Sequence, residues 1–117
     1  MGRVNSYTLY PESEEKVFEI FRRFYEIFNS SGILISGGGN LTEDIDEAVY
    51  SDTNTFLVNT NVGVYKVALE VDNSRERLGL RMGIETTPSQ AQIREDLERR
   101  VLAEGFKEDD EGSTWNF

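Results

Sequence analysis

The chain has 117 residues, contains 0 His and 0 Cys, and carries a net charge of −10 from 22 acidic and 12 basic residues. The missing residue types exclude disulfides, thiolate zinc sites and catalysis through Cys or His. A length of this order fits one hydrophobic core, so we expect a single domain over residues 1–117. Without cysteines or long apolar runs, we expect a cytoplasmic protein that has no cofactor and does not contact membranes.

The first third of the chain predicts a strand, a long helix and a second strand. Val4–Tyr10 is rich in strand-forming residues and stops before Pro11, which cannot donate to a central ladder, so an edge position is one option. Ser13 is a good helix N-cap. Apolar residues recur after it at helical spacing: Val17, Ile20, Phe21, Phe24, Ile27 and Phe28. The helix should close near Ser30–Gly32, and Ile33–Ser36 should form a short buried strand.

The segment after the second strand has two interpretations. Gly37–Asn40 is a glycine-rich loop that could present backbone amides to an anion, although the lysine of a phosphate-binding loop is missing. Beyond it, Leu41, Ile45, Ala48 and Val49 recur at helical spacing around Thr42, an acceptable N-cap. A short helix is favoured, and a strand remains the alternative because residues 45, 47 and 49 also alternate.

The middle of the chain predicts three antiparallel strands in succession. Thr55–Thr60, Val64–Asp72 and Leu78–Thr86 are rich in β-branched and apolar residues and are separated by short polar turns. In each of the last two, every second residue is apolar, so one face of the sheet should lie on the core.

The last third predicts a helix and a terminal strand. Thr87 as N-cap, Pro88 at the first helical position and Gln90 in a capping box mark the start of the helix. Gly105 suits its C-cap. Lys107–Phe117 should form a final strand or a hairpin that turns within residues 109–112. The complete order predicts a two-layer α+β fold, in which two main helices and one short helix pack on an antiparallel sheet of about five strands with a central three-stranded meander.

Acidic residues are concentrated in two segments beside predicted turns. These uncompensated carboxylates are the main candidates for partner binding: Glu43, Asp44, Asp46, Glu47, Glu108, Asp109, Asp110 and Glu111. Their spacing fails the calcium-loop pattern, so no metal site is expected. The alternative is that both segments are solvated loops.

Two other groups are candidate contact residues. Gly79, Arg81 and Gly83 alternate with apolar residues on the third meander strand, so we expect an exposed flat strip that carries one guanidinium. The alternatives are a strip covered by a helix and glycines that relieve sheet twist. Phe18 and Tyr25 lie off the main apolar line of the first helix and could anchor a partner or a second copy of the chain.

Together these features favour a non-catalytic acidic module that blocks or masks a basic surface of a partner protein. An inhibitor, immunity protein or chaperone, with carboxylates standing in for nucleic-acid phosphates, would fit this description. Direct nucleic-acid binding is not expected, because a net charge of −10 repels phosphates. One alternative is an anion-binding or small-ligand protein, or a small enzyme, that uses Gly37–Asn40 or Arg81. Another is adaptation to high salt, in which the charge has no partner.

Overall fold

The computed structural model describes residues 2–31, 33–36, 54–72 and 79–115. Within these ranges, six strands form one sheet in the order β2-β3-β4-β5-β1-β6, and every neighbouring pair is antiparallel. The strands are β1 Arg3–Leu9, β2 Ile33–Ser36, β3 Asn54–Thr60, β4 Gly63–Asp72, β5 Gly79–Thr86 and β6 Lys107–Asp109. The described α-helices are α1 Glu14–Ser31 and α2 Ala91–Ala103, and short 3₁₀ turns lie at Pro88–Gln90 and Gly112–Thr114.

One face of the sheet packs against both helices and forms the core. The apolar stripe of α1 is buried as its spacing predicts: Val17, Ile20, Phe21, Phe24 and Phe28. The ring centroids of Phe28 and Phe56 on β3 lie 5.5 Å apart. Leu97 and Val101 of α2 belong to the same cluster. Because strand residues alternate between faces, the core residues of β4 and β5 occupy every second position.

The opposite face of the sheet, called here the outer face, carries polar side chains in two rows across the strands. In the first row, Thr8 lies between Lys107 of β6 and Arg81 of β5, and Arg81 in turn lies opposite Glu70 of β4. In the second row, Ser6 lies between Asp109 and Gly83. The outer face therefore brings Arg81 and residues of the C-terminal acidic segment to the same end of the sheet.

The structure confirms the antiparallel α+β fold and the three-stranded meander β3–β5. A 3₁₀ turn at Pro88–Gln90 precedes α2 where the capping signals predict a helix start, and Gly105 has a φ of 101° beyond its C-terminus. The short helix expected beyond Leu41 and the loop Gly37–Asn40 lie outside the described residues. None of the described helices has the length and apolar character needed to cross a membrane.

Two expectations about the sheet edges need correction. The edge position considered for the first strand is wrong, because β1 pairs with β5 on one side and β6 on the other. The hairpin considered for the end of the chain is also not formed. After the three residues of β6 the chain enters the 3₁₀ turn Gly112–Thr114, and a Cβ at Gly112 would lie 2.7 Å from the carbonyl oxygen of Val4. The residues that follow β6 therefore lie back alongside β1.

Candidate functional site

The candidate site is built on β6, the last strand at one edge of the sheet. Its acidic segment, Glu108–Glu111, spans the end of β6 and the residues that follow it. Glu108, Asp110 and Glu111 are exposed, whereas Asp109 is half-buried. Glu108 lies opposite the buried Tyr7 and accepts a long hydrogen bond of 3.4 Å from Asn5 Nδ2. The segment thus presents carboxylates to solvent from a fixed position on a strand.

Asp109 is the residue of this segment that is bound to the fold. One carboxylate oxygen accepts a hydrogen bond from Thr8 Oγ1, and the other accepts one from the backbone N–H of Glu111 at 3.0 Å. Desolvation by burial works to raise the pKa of Asp109, but hydrogen bonds from Thr8, Ser6 and the Glu111 backbone, together with the charge of Arg81, outweigh it. The pKa is therefore lower than that of an ordinary aspartate. Asp109 remains ionised and shapes the turn that follows it.

Arg81 is the cation beneath the acidic segment. Its side chain is only 18% exposed and forms ion pairs with Glu70 Oε1 at 3.3 Å and with Glu111 Oε2 at 3.4 Å. Its Nη2 also donates to Thr114 Oγ1 at 2.9 Å. Both Nη atoms of the guanidinium, which we expected to face a partner, are thus occupied by groups of the same chain, whereas the buried Nε has no hydrogen-bond partner among the described residues.

Trp115 covers the glycine strip on the outer face. The indole Nε1 donates to Ser6 Oγ at 2.9 Å, and the guanidinium carbon of Arg81 lies 4.7 Å from the ring centroid, which is cation–π geometry. A Cβ built on Gly83 would lie 2.6 Å from Trp115 Cδ2. The expectation of an exposed strip is therefore wrong: Gly79 is buried, and the buried Gly83 and the half-buried Arg81 lie against the indole. The covering group is the indole of Trp115 and not a helix.

A groove of about 520 Å³ opens beside this cluster, at the end of β1 and β6. Thr8, Tyr10, Arg81 and Lys107 line it together with the acidic segment. Its charged lining is mostly anionic, and its one half-buried cation is already paired with two carboxylates. The arrangement suits a cationic group better than an anion, because its carboxylates outnumber its cations and an anion at Arg81 would have to displace Glu70 or Glu111.

The other candidate residues lie apart from this groove or outside the described residues. Phe18 is half-buried and packs against the core, and the side chain of Tyr25 lies outside the described part of the chain. The first acidic group, Glu43, Asp44, Asp46 and Glu47, also lies outside it. The structure thus brings together the second acidic segment and Arg81 and leaves Phe18 apart. A role for any of these residues in binding stays a prediction.

Two further observations concern the ionisable side chains of the described residues. Burial, followed by the carboxylates of Glu98 and Glu108, raises the pKa of Tyr7, so its hydroxyl stays protonated at neutral pH. Among the described residues, no cluster of three or more Asp or Glu side chains could hold a metal ion.

Sequence reasoning missed Ser6, Thr8, Thr114 and Trp115 as parts of this site. A signal for two of them was present, because Tyr7 and Leu9 face the core and the alternation places Ser6 and Thr8 on the other face. Trp115, the single tryptophan of the chain, follows an acidic run near the end of the sequence, and no local pattern indicates which surface it covers. A scan against protein-family models, a search of curated proteins and a search of solved structures each give no match to this chain.

Proposed function

We propose that this protein is a non-catalytic binding module that occupies a basic surface of a partner protein through its acidic segment. The partner's Lys and Arg side chains would lie along β6 and the groove beside it, where carboxylates take the place of nucleic-acid phosphates. Such a module acts as an inhibitor or chaperone by covering the surface that a nucleic acid or another acidic ligand would use. Long-range attraction would speed the encounter, and the contacts on β6 would fix its orientation.

The observation that carries the proposal is the exposure of Glu108, on the edge strand β6, and of Asp110, directly after that strand, without an ion-paired cation among the described residues. Among the described residues, neither carboxylate forms an ion pair, whereas those of Glu19, Glu70 and Glu85 do. The chain as a whole carries a charge of −10, so its field favours approach by a cationic surface. Net charge by itself accounts for solubility. The position of these carboxylates on and directly after β6 is what favours recognition of a partner.

The first test is the identity of the partner. Copurification of the tagged chain from its native host, followed by mass spectrometry, should recover a basic protein. Stopped-flow association with that protein should slow steeply between low and high salt, because the attraction is screened over about 10 Å at 0.1 M ionic strength. Association rates that do not change with salt would contradict the proposal.

The second test separates the placement of the charge from its total. The double variant Glu108→Gln/Asp110→Asn removes two exposed carboxylates from the proposed site and keeps an amide oxygen at residue 108 that can still accept the hydrogen bond from Asn5. Asp109 and Glu111 keep their structural contacts. The control Glu15→Gln/Glu26→Gln removes the same charge from exposed positions on α1. The first variant should slow association about three- to tenfold, with a much smaller effect from the control. Equal effects would indicate that only net charge matters, as adaptation to high salt predicts.

A further inference from the structure

We propose that Arg81, Thr114 and Trp115 hold the acidic segment in the shape that the partner recognises, so that Arg81 promotes binding of a cationic partner although it carries the same charge as that partner. This inference rests on the proposed function. It assigns a positioning role to three side chains that line or cover the outer face.

The first step of the argument is the cost of keeping the acidic segment together. Four consecutive carboxylates repel one another, and an exposed run of this kind tends to be mobile without a counter-charge. Arg81, on the outer face of β5, supplies that counter-charge through its ion pair with Glu111 at 3.4 Å. The side chains of Arg81 and Glu111 are 18% and 47% exposed, so solvent screens this ion pair in part, and the contacts of Thr114 and Trp115 add to it.

The second step is the chain of contacts that extends from Arg81 to the end of the segment. Arg81 Nη2 donates to Thr114 Oγ1 at 2.9 Å, and Thr114 Oγ1 donates to the backbone carbonyl of Glu111 at 2.7 Å. Trp115 lies on the guanidinium and is fixed by its hydrogen bond to Ser6. The residues after Glu111 are thus attached to β1 and β5, and the acidic segment is held at both ends.

The third step is the consequence for affinity. Side chains that are already ordered lose less entropy on binding, and each one left mobile costs about 0.5–1.5 kcal/mol when it is immobilised. Loss of Arg81 should therefore weaken binding of a cationic ligand. Simple charge counting predicts the reverse, because removal of a positive charge makes the surface more attractive to cations. The positioning role and the charge count therefore predict opposite changes in affinity when Arg81 is lost.

The experiment compares Arg81→Gln with the control Lys107→Gln. Lys107 lines the same groove, is exposed and has no ion pair in the described part of the chain, so its loss changes the charge equally without affecting the contacts of Trp115. The probe is a fixed arginine-rich peptide, and its dissociation constant is measured by titration calorimetry at low salt. We expect binding about three- to tenfold weaker for Arg81→Gln and slightly tighter for Lys107→Gln.

A second readout follows the outer face without any ligand. Trp115 is the single tryptophan, so its emission maximum and its quenching by acrylamide report whether the indole is covered. Arg81→Gln should shift the emission to longer wavelength and increase quenching, whereas Lys107→Gln should leave both unchanged. Thr114→Val serves as a second variant in case Arg81→Gln does not fold, because Thr114 is exposed and its loss leaves the core intact. It should weaken peptide binding in the same direction.

The outcomes distinguish this inference from the proposed function. If the peptide binds the wild-type chain and Arg81→Gln or Thr114→Val binds as tightly or more tightly, the positioning role is overturned and the acidic site stands. An indole that is equally quenched in wild type and both variants also overturns it. If the peptide does not bind the wild-type chain at all, the proposed function fails, and the inference falls with it.

Discussion

Gly83 is the residue that leaves room for Trp115 on the outer face. Its Cα faces the indole so closely that a Cβ would lie 2.6–2.8 Å from three ring atoms. A glycine within a strand weakens the strand, and close approach of another group is one of the reasons for which strands contain it. Here the approaching group is a side chain of the same protein. The expectation of an exposed strip therefore fails here, because a side chain from a distant part of the sequence covers it.

Gly83→Ala should lower the free energy of unfolding by about 1–3 kcal/mol, because the added methyl group forces the indole away from the sheet. Urea unfolding, followed by circular dichroism, measures the change. The control is the same substitution in a Trp115→Ala background, where the methyl group has space and the cost should largely disappear. An equal cost in both backgrounds would show that backbone effects at Gly83, and not the indole, cause the loss.

Asp109 makes part of the stability depend on pH. Its pKa is lower in the folded chain than in the unfolded one, so it stabilises the fold above the ordinary aspartate pKa of about 3.9, and this contribution disappears as the pH falls through the folded value. Asp109→Asn should therefore be less stable than wild type at neutral pH. The difference should shrink below about pH 4. Urea unfolding at a series of pH values measures this convergence, and a constant difference at every pH would contradict the assignment.

At the scale of the elements, the sequence predicts the parts of the fold that have a local cause. The apolar spacing of α1 and the alternation in β3–β5 place the same residues on the core that the structure buries. The position of β1 inside the sheet and the covering of the outer face depend on contacts between residues far apart in the sequence, such as Ser6 and Trp115, whose positions differ by 109. Such contacts leave no periodic signal in either segment, which is why they could not be predicted.

Gln90 connects the start of α2 to the sheet. Its Oε1 accepts the backbone N–H of Thr87 at 2.9 Å, and its Nε2 donates to the carbonyl of Val62 at 3.3 Å. Gln90 is 1% exposed, so its amide is held inside the fold, and loss of the amide would remove the partner of both backbone groups. The capping box in the sequence predicts the contact with Thr87. The contact with Val62 arises only from the tertiary fold.

Gln90→Leu should destabilise the protein by about 1–3 kcal/mol, since the N–H of Thr87 and the carbonyl of Val62 both lose their partner. Gln90→Glu keeps an acceptor for Thr87 and loses the donor to Val62, so its unfolding free energy should lie between those of wild type and Gln90→Leu. Urea unfolding of the three proteins tests this order. If Gln90→Glu is as unstable as Gln90→Leu, the cap contributes nothing by itself.

At the scale of the whole molecule, the charge of −10 opposes folding as well as attracting partners. The ion pairs of the described residues are mostly at the surface, where each contributes about 0–1 kcal/mol. They do not remove the repulsion among the remaining carboxylates. The fold must therefore rely on its single apolar core, which α1, α2 and the sheet build together.

Moderate salt should stabilise the protein by screening this repulsion. We expect the free energy of unfolding to rise with sodium chloride and to level off below about 1 M, where the screening length falls to about 3 Å. The variant Glu12→Gln/Glu15→Gln/Glu26→Gln/Glu95→Gln, in which all four exposed sites become neutral, should show a smaller rise because less repulsion remains to be screened. Urea unfolding at a series of salt concentrations measures both proteins. A protein adapted to high salt would instead be unfolded at low salt and gain stability up to molar concentrations, in which case its charge would reflect its solvent and not a basic partner.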